Sequence, residues 1–152
     1  FGAGHVGKAL YRQLKYLPLN RQLIDSRSEM FSSIGPTESY KCTAIPEAEI
    51  KSSPAGSAYV ILTHDHALDF LLVKEAIVRI DAAYIGMIGS KTKRSVLESY
   101  LNKEGVFNTD VLKTPIGVSN LNRNYSDKRP EVISAHIISE ILQAYENNMG
   151  SG

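Results

Sequence analysis

The chain has 152 residues, of which 43% are hydrophobic and 22% charged, with a formal net charge of +1. That length and balance describe one soluble globular domain with a sizeable core. A near-neutral charge excludes a global field for nucleic acid or an anionic membrane. The single cysteine, Cys42, excludes an internal disulfide framework and suits a reducing cytoplasm; it is expected to be buried or incidental rather than reactive. No apolar run reaches membrane-spanning length and no signal peptide is visible.

The chain opens on Phe1-Gly2-Ala3-Gly4-His5-Val6-Gly7, which reads G-x-G-x-x-G. An amphipathic helix pattern follows at once, with Val6, Leu10, Leu14 and Leu17 on one face. In a dinucleotide turn the first glycine permits the bend, the second lets a phosphate approach the backbone, and the third lets the helix pack closely on the sheet. The helix start then offers unpaired N–H groups and a partial positive charge to an anion. Such a turn requires a strand before Gly2, so residues preceding Phe1 are expected. A glycine-rich turn that merely packs a helix against a strand is the bland alternative. The second strand, Arg21 to Ile24, ends in Asp25, roughly 20 residues beyond the glycines, as ribose recognition requires. Arg27 beside it favours a 2′-phosphate over a free 2′-hydroxyl.

Residues 26–38 read as a loop, and Ser39 to Ile45 as a short strand near the sheet edge, stopped by Pro46. A polar stretch with Pro54 and Gly56 leads to Ser57-Ala58-Tyr59-Val60-Ile61-Leu62-Thr63, apolar on both faces as a central parallel strand should be. A helix is predicted from His66 to Ile80, its inner side formed by Ala67, Phe70, Leu71, Ile77 and part of Lys74. The strand Ala83 to Ile88 empties into Gly89-Ser90-Lys91-Thr92-Lys93-Arg94, and a helix through Val96, Leu97, Tyr100 and Leu101 ends near Gly105. Val111 to Lys113 suggests a small strand, Thr114-Pro115-Ile116-Gly117 a turn, and Asn120 to Lys128 a polar loop. Pro130 starts a last helix, Glu131 to Tyr145, with Val132, Ile133, Ile137, Ile141 and Leu142 facing inward. Residues 1–146 thus form one domain, and 147–152 a disordered tail.

Alternating strands and helices imply an α/β fold, Rossmann-like, with a mainly parallel sheet and helices on both faces. Every strand-to-helix loop then leaves from one edge, where ligands of open α/β sheets bind. The glycine turn, Asp25, the His64-Asp65-His66 loop and the Gly89 to Arg94 loop should therefore converge. His64 and His66 are suited to holding a metal, moving a proton or donating to an oxyanion. A metal would need Asp65 or Asp69 as a third ligand. The plainer reading makes one histidine a helix cap and the other a solvated loop residue. In the basic loop, Ser90 is a natural N-cap, while Lys91, Lys93 and Arg94 place cations where they oppose the helix dipole. That cost favours an anionic ligand. Tyr84 and His136 lie in apolar elements and read as core or interface residues.

Taken in order, Gly2-Ala3-Gly4-His5-Val6-Gly7, Asp25-Ser26-Arg27, Leu62-Thr63-His64-Asp65-His66-Ala67-Leu68-Asp69, Tyr84 to Arg94 and Pro115-Ile116-Gly117 resemble the C-terminal domain of the xanthine dehydrogenase accessory protein (XdhC/CoxI) family over nearly the whole chain. The Thr-His-Asp-His and Gly-Ser-Lys-Thr-Lys-Arg stretches are its specific parts. The resemblance implies a cytoplasmic Rossmann-like domain of a protein that binds the molybdenum cofactor, as molybdopterin or its dinucleotide form. Family members protect that cofactor during sulfuration and pass it to a xanthine-dehydrogenase-type enzyme, acting as chaperones rather than turnover catalysts. The implied partners are that molybdoenzyme and a cofactor sulfurase, with a homodimer as the assembly to consider and neither nucleic acid nor membrane. Carried onto this chain, the cofactor-binding set is Gly2, Gly4, His5, Gly7, Asp25, Arg27, His64, His66, Gly89, Ser90, Lys91, Lys93 and Arg94, with no metal ligand or catalytic residue. Full-length members also carry an N-terminal domain with a cysteine associated with cofactor binding, and a shorter link than the asparagine-rich Ser119 to Lys128 found here. An NAD(P)-binding oxidoreductase domain, or a docking domain with a vestigial nucleotide site, are the alternatives.

Overall fold

The computed structural model describes residues 1–36, 38–117 and 127–150, so most of the expected polar loop, and the last two residues of the expected tail, lie outside the described residues. The elements in chain order are α1 (His5–Leu14), β1 (Leu23–Asp25), a 3-10 turn (Ser28–Phe31), β2 (Tyr40–Cys42), α2 (Glu47–Ser52), β3 (Ala58–Ile61), α3 (His66–Val78), β4 (Tyr84–Met87), α4 (Lys91–Lys103), β5 (Leu112–Lys113) and α5 (Pro130–Met149). Every strand pair is parallel: β1 with β2, β3 with β4, and β4 with β5. The backbone of Phe1 and Gly2 joins the two groups. Phe1 N donates to the Val60 carbonyl at 2.7 Å, Leu62 N to the Phe1 carbonyl at 2.8 Å, and Gly2 N to the Ile24 carbonyl at 2.8 Å. Phe1 therefore occupies a strand position between β1 and β3, beside a groove of ≈ 630 Å³ that runs along both.

The alternation of side chains along β3 and β4 builds a core on each face. Tyr59, Ile61, Ile85 and Met87 point to one side, where they pack with Ile50 of α2, Leu72 and Val73 of α3, and Leu97 and Leu101 of α4. Tyr84 and Leu62 join Leu10 of α1 with Ile137 and Ile141 of α5 on the other. Helices thus cover both faces, and the expected Rossmann-like α/β architecture is what the chain adopts.

Several local expectations are corrected. Helix α2 occupies the start of the polar stretch that follows Pro46, because Glu47 and Glu49 favour its N-terminus while Ile50 alone supplies the buried anchor. The buried residues of α3 are Asp69, Phe70, Leu72, Val73 and Ala76, so the helix is turned away from the predicted stripe, and Ala67 is exposed. An almost uniformly apolar helix carries little directional signal, and the charged Asp69 points inward only because it has a partner there. Helix α5 runs on to Met149, three residues into the expected tail. Cys42 is exposed on edge strand β2 rather than buried.

Candidate functional site

The glycine turn is held by backbone geometry. Gly2 has φ +103°, a conformation that favours glycine. A methyl group at Gly7 would overlap the Gly2 carbonyl oxygen, so Gly7 serves the close approach of α1 to the turn. Gly4 differs. It is the N-cap of α1 in an extended conformation (φ −75°), and a methyl built on it would meet only the His64 imidazole, at 3.8 Å from Cε1 and 3.9 Å from Nε2. The first intrahelical bond runs from Lys8 N to the Gly4 carbonyl, so the N–H groups of the first turn remain for another acceptor. His64, carried by the loop after β3, thus stands directly over the start of α1.

Beside this turn lies a cleft of ≈ 180 Å³, lined among others by Gly2, Asp25, Arg27, Thr63, His64 and Asp65. Its β1 wall is an ion pair. The buried Asp25 carboxylate accepts from Ala3 N at 2.8 Å, Arg27 N at 2.9 Å, Arg27 Nε at 3.0 Å and Arg27 Nη2 at 2.9 Å. Burial pushes the Asp25 carboxyl up, but hydrogen bonds from the Arg27 side chain and from Ala3 N and Arg27 N outweigh it and bring the group down to about 2. The carboxylate is therefore ionised across the physiological range, and one N–H of the glycine turn is already bound to it.

The β3 wall is set from behind by Asp69, which is fully buried on α3. Its Oδ1 accepts from Thr63 N at 3.2 Å and from the Thr63 hydroxyl at 2.5 Å. Its Oδ2 accepts from Lys93 Nζ at 2.5 Å, and the same ammonium donates to the Ile88 carbonyl at 3.0 Å. Lys93 thus ties the loops after β3 and β4 together. Asp65, rather than a histidine, caps α3, its Oδ1 accepting from Ala67 N and Leu68 N. Ser90 caps α4 by accepting from Lys93 N, and Arg94 donates to Glu98 and to the Thr114 carbonyl.

Of the residues singled out from the sequence, the fold brings Gly2, Gly4, Asp25, Arg27 and His64 together. His5 and His66 are exposed and do not line the cleft, and Gly7 packs beneath the turn. Gly89, Ser90, Lys91 and Arg94 stand at the start of α4 on the same sheet edge but outside the cleft, and Lys93 is turned inward to Asp69. Asp65 and Asp69 are engaged as cap and ion-pair partner, and among the described residues no group of three or more His, Cys, Asp or Glu side chains could hold a metal ion.

The chain matches the XdhC Rossmann domain over residues 1–141. It belongs to that family. Among solved structures it is similar to a Bacillus halodurans protein described as a xanthine dehydrogenase (BH1974), determined at 2.80 Å resolution, with 20% identity and a TM-score of 0.76. The match covers 97% of this chain and 41% of that one, so this chain spans well under half of that protein's length. At such identity the likeness speaks for the fold alone. No curated protein matches the chain.

In this XdhC-type domain the sequence reading missed Thr63 as a cleft residue and Asp69 as the anchor of Lys93. No local signal marked the second: α3 also carries Lys74 and Glu75, and α4 opens on Lys91, Lys93 and Arg94, so which cation meets Asp69 is set by packing. No helix among the described residues is long and apolar enough to cross a membrane.

Proposed function

We propose that this domain is the phosphate-holding part of an accessory protein that binds the molybdenum cofactor, shields it during sulfuration and delivers it to a xanthine-dehydrogenase-type enzyme in the cytoplasm. The observation that carries the reading is His64 seated over Gly4 at the open start of α1. His64 and Arg27 line the cleft, and the start of α1 adjoins it through the contact of Gly4 with His64, which together make a donor set suited to phosphate. The residues fit the group in part. Complete ligand pockets usually enclose about 300–1,000 Å³, so a cleft of ≈ 180 Å³ holds the phosphate end of molybdopterin while the pterin extends over the rim. When bound, the cofactor supplies the metal centre destined for the recipient enzyme. This chain's own residues hold and orient it.

The test is equilibrium binding of isolated molybdopterin, followed by pterin fluorescence, to the wild type and to Gly4→Ala. The geometry predicts about a tenfold loss or more for Gly4→Ala with an unchanged fold, since a methyl has room but occupies the place of the approaching phosphate. Equal affinity for both proteins would refute the site. Asp25 at the end of β1 beside the glycine turn favours a second reading, a nicotinamide dinucleotide. Millimolar NAD or NADP should then raise the melting temperature, and the absence of a shift removes that reading.

A further inference from the structure

Helix α1 carries its basic side chains on one face. His5, Lys8, Arg12 and Lys15 recur in steps of three and four, so at 3.6 residues per turn they fall within about 80° of one another along about 15 Å of helix axis. His5, Arg12 and Lys15 are exposed and Lys8 is half-buried. Among the described residues, no carboxylate pairs with Lys8, Arg12 or Lys15. Other helices neutralise their charges: Arg94 pairs with Glu98 within α4, and Lys74 of α3 with Glu104. Helix α1 contains no acidic residue, and like charges at i, i+4 (Lys8 and Arg12) and i, i+3 (Arg12 and Lys15) repel along it. That repulsion weakens the helix, and carboxylates supplied from outside would relieve it.

We propose that this face of α1 is a docking surface for a protein partner that presents a run of carboxylates. The apolar side of the helix, with Leu10 and Tyr11, is buried in the core, so the basic face has no apolar stripe to enter a bilayer. Tyr16, 86% exposed, closes the stripe with one aromatic ring, a common anchor at protein interfaces. A nucleic-acid strand stacks on a series of such rings, and the net charge of +1 supplies no wider field to attract one. The stripe begins next to Gly4, the residue beneath the His64 imidazole, so a docked partner stands beside the cleft. Its use in passing on a phosphate-bearing ligand rests on the reading of the cleft; the docking itself does not.

Fluorescence anisotropy of the full chain with a labelled oligoglutamate peptide of about ten residues tests it. Wild-type protein should bind the peptide, with affinity falling about tenfold between about 50 and 200 mM salt. The variant Lys8→Gln with Arg12→Gln and Lys15→Gln keeps helix propensity and should bind at least about tenfold more weakly with an unchanged circular dichroism spectrum. Arg12→Gln alone, expected to bind about threefold more weakly, serves if the triple variant does not fold. Lys103→Gln with Lys113→Gln and Lys128→Gln removes the same charge from exposed positions elsewhere and should stay within about twofold of wild type. No measurable binding by wild-type protein, or equal losses in the two triple variants, overturns the proposal. So does tighter binding of an oligothymidylate of matched charge, which would make the face a nucleic-acid surface. Inorganic pyrophosphate separates this face from the cleft. Its affinity should be the same in wild type and in the α1 triple variant, and a loss there would assign these cations to the phosphate site instead. If Gly4→Ala does not weaken pyrophosphate binding, the reading of the cleft falls and the docking surface stands.

Discussion

Replacing Lys93 with methionine removes the ammonium from a site where the side chains of Lys93 and Asp69 are 9% and 0% exposed and their charged atoms lie 2.5 Å apart. The carboxylate left behind is buried, and breaking one side of such a pair costs about 3–5 kcal/mol. Asp69 keeps two donors, the amide and hydroxyl of Thr63, so the lower end applies, about 3 kcal/mol. For a domain of this size about 1 kcal/mol moves the melting temperature by roughly 2–4 °C, which places Lys93→Met about 6–12 °C below wild type. Circular dichroism melts and urea titrations at pH 7 read both quantities. The double variant Lys93→Met with Asp69→Asn leaves no buried charge and keeps an acceptor for Thr63, so it should recover about 1–2 kcal/mol relative to Lys93→Met alone. Stability within about 0.5 kcal/mol of wild type for Lys93→Met would refute the tie. So would a double variant no better than the single. A loss of phosphate affinity without loss of stability would restore Lys93 to the ligand-binding set.

Gly7→Ala drives a methyl into the Gly2 carbonyl and should cost about 3 kcal/mol, whereas Gly4→Ala should change stability by less than about 0.5 kcal/mol; urea midpoints of the two separate a packing glycine from a binding one. Because the Asp25 carboxyl is held at about 2 against an ordinary 3.8, its contribution is complete above pH 3.8 and is lost as pH falls through 2. The stability difference between wild type and Asp25→Asn should accordingly shrink over that window by about 2 kcal/mol, measured by urea unfolding from pH 5 downward, and a pH-independent difference would contradict the assignment. His64→Ala, at an exposed position, should leave the melting temperature unchanged and lower pyrophosphate affinity about three- to tenfold; unchanged affinity would remove His64 from the site.

Period and punctuation alone determined the alternation of β and α elements, the parallel sheet and the sheet edge that carries the polar loops. Alternation along Tyr59 to Ile61 and the turn glycines are local properties, and local properties survive in a one-dimensional string. The same information located Gly4, Asp25 and His64 as residues that would meet, because in a parallel sheet every such loop leaves from the same side. Only the tertiary structure decided which charges face a ligand. Lys93 and Lys91 are two residues apart in one basic cluster, but Lys93 is consumed by an aspartate on another helix, while Asp25, expected to hold a ribose, is consumed by Arg27 and by Ala3 N of the glycine turn. Whether a charge pairs inward or outward depends on the desolvation of both partners and on the few ångströms between them. That distance is set by how α3 and α4 pack on the sheet, and no spacing within either segment records it.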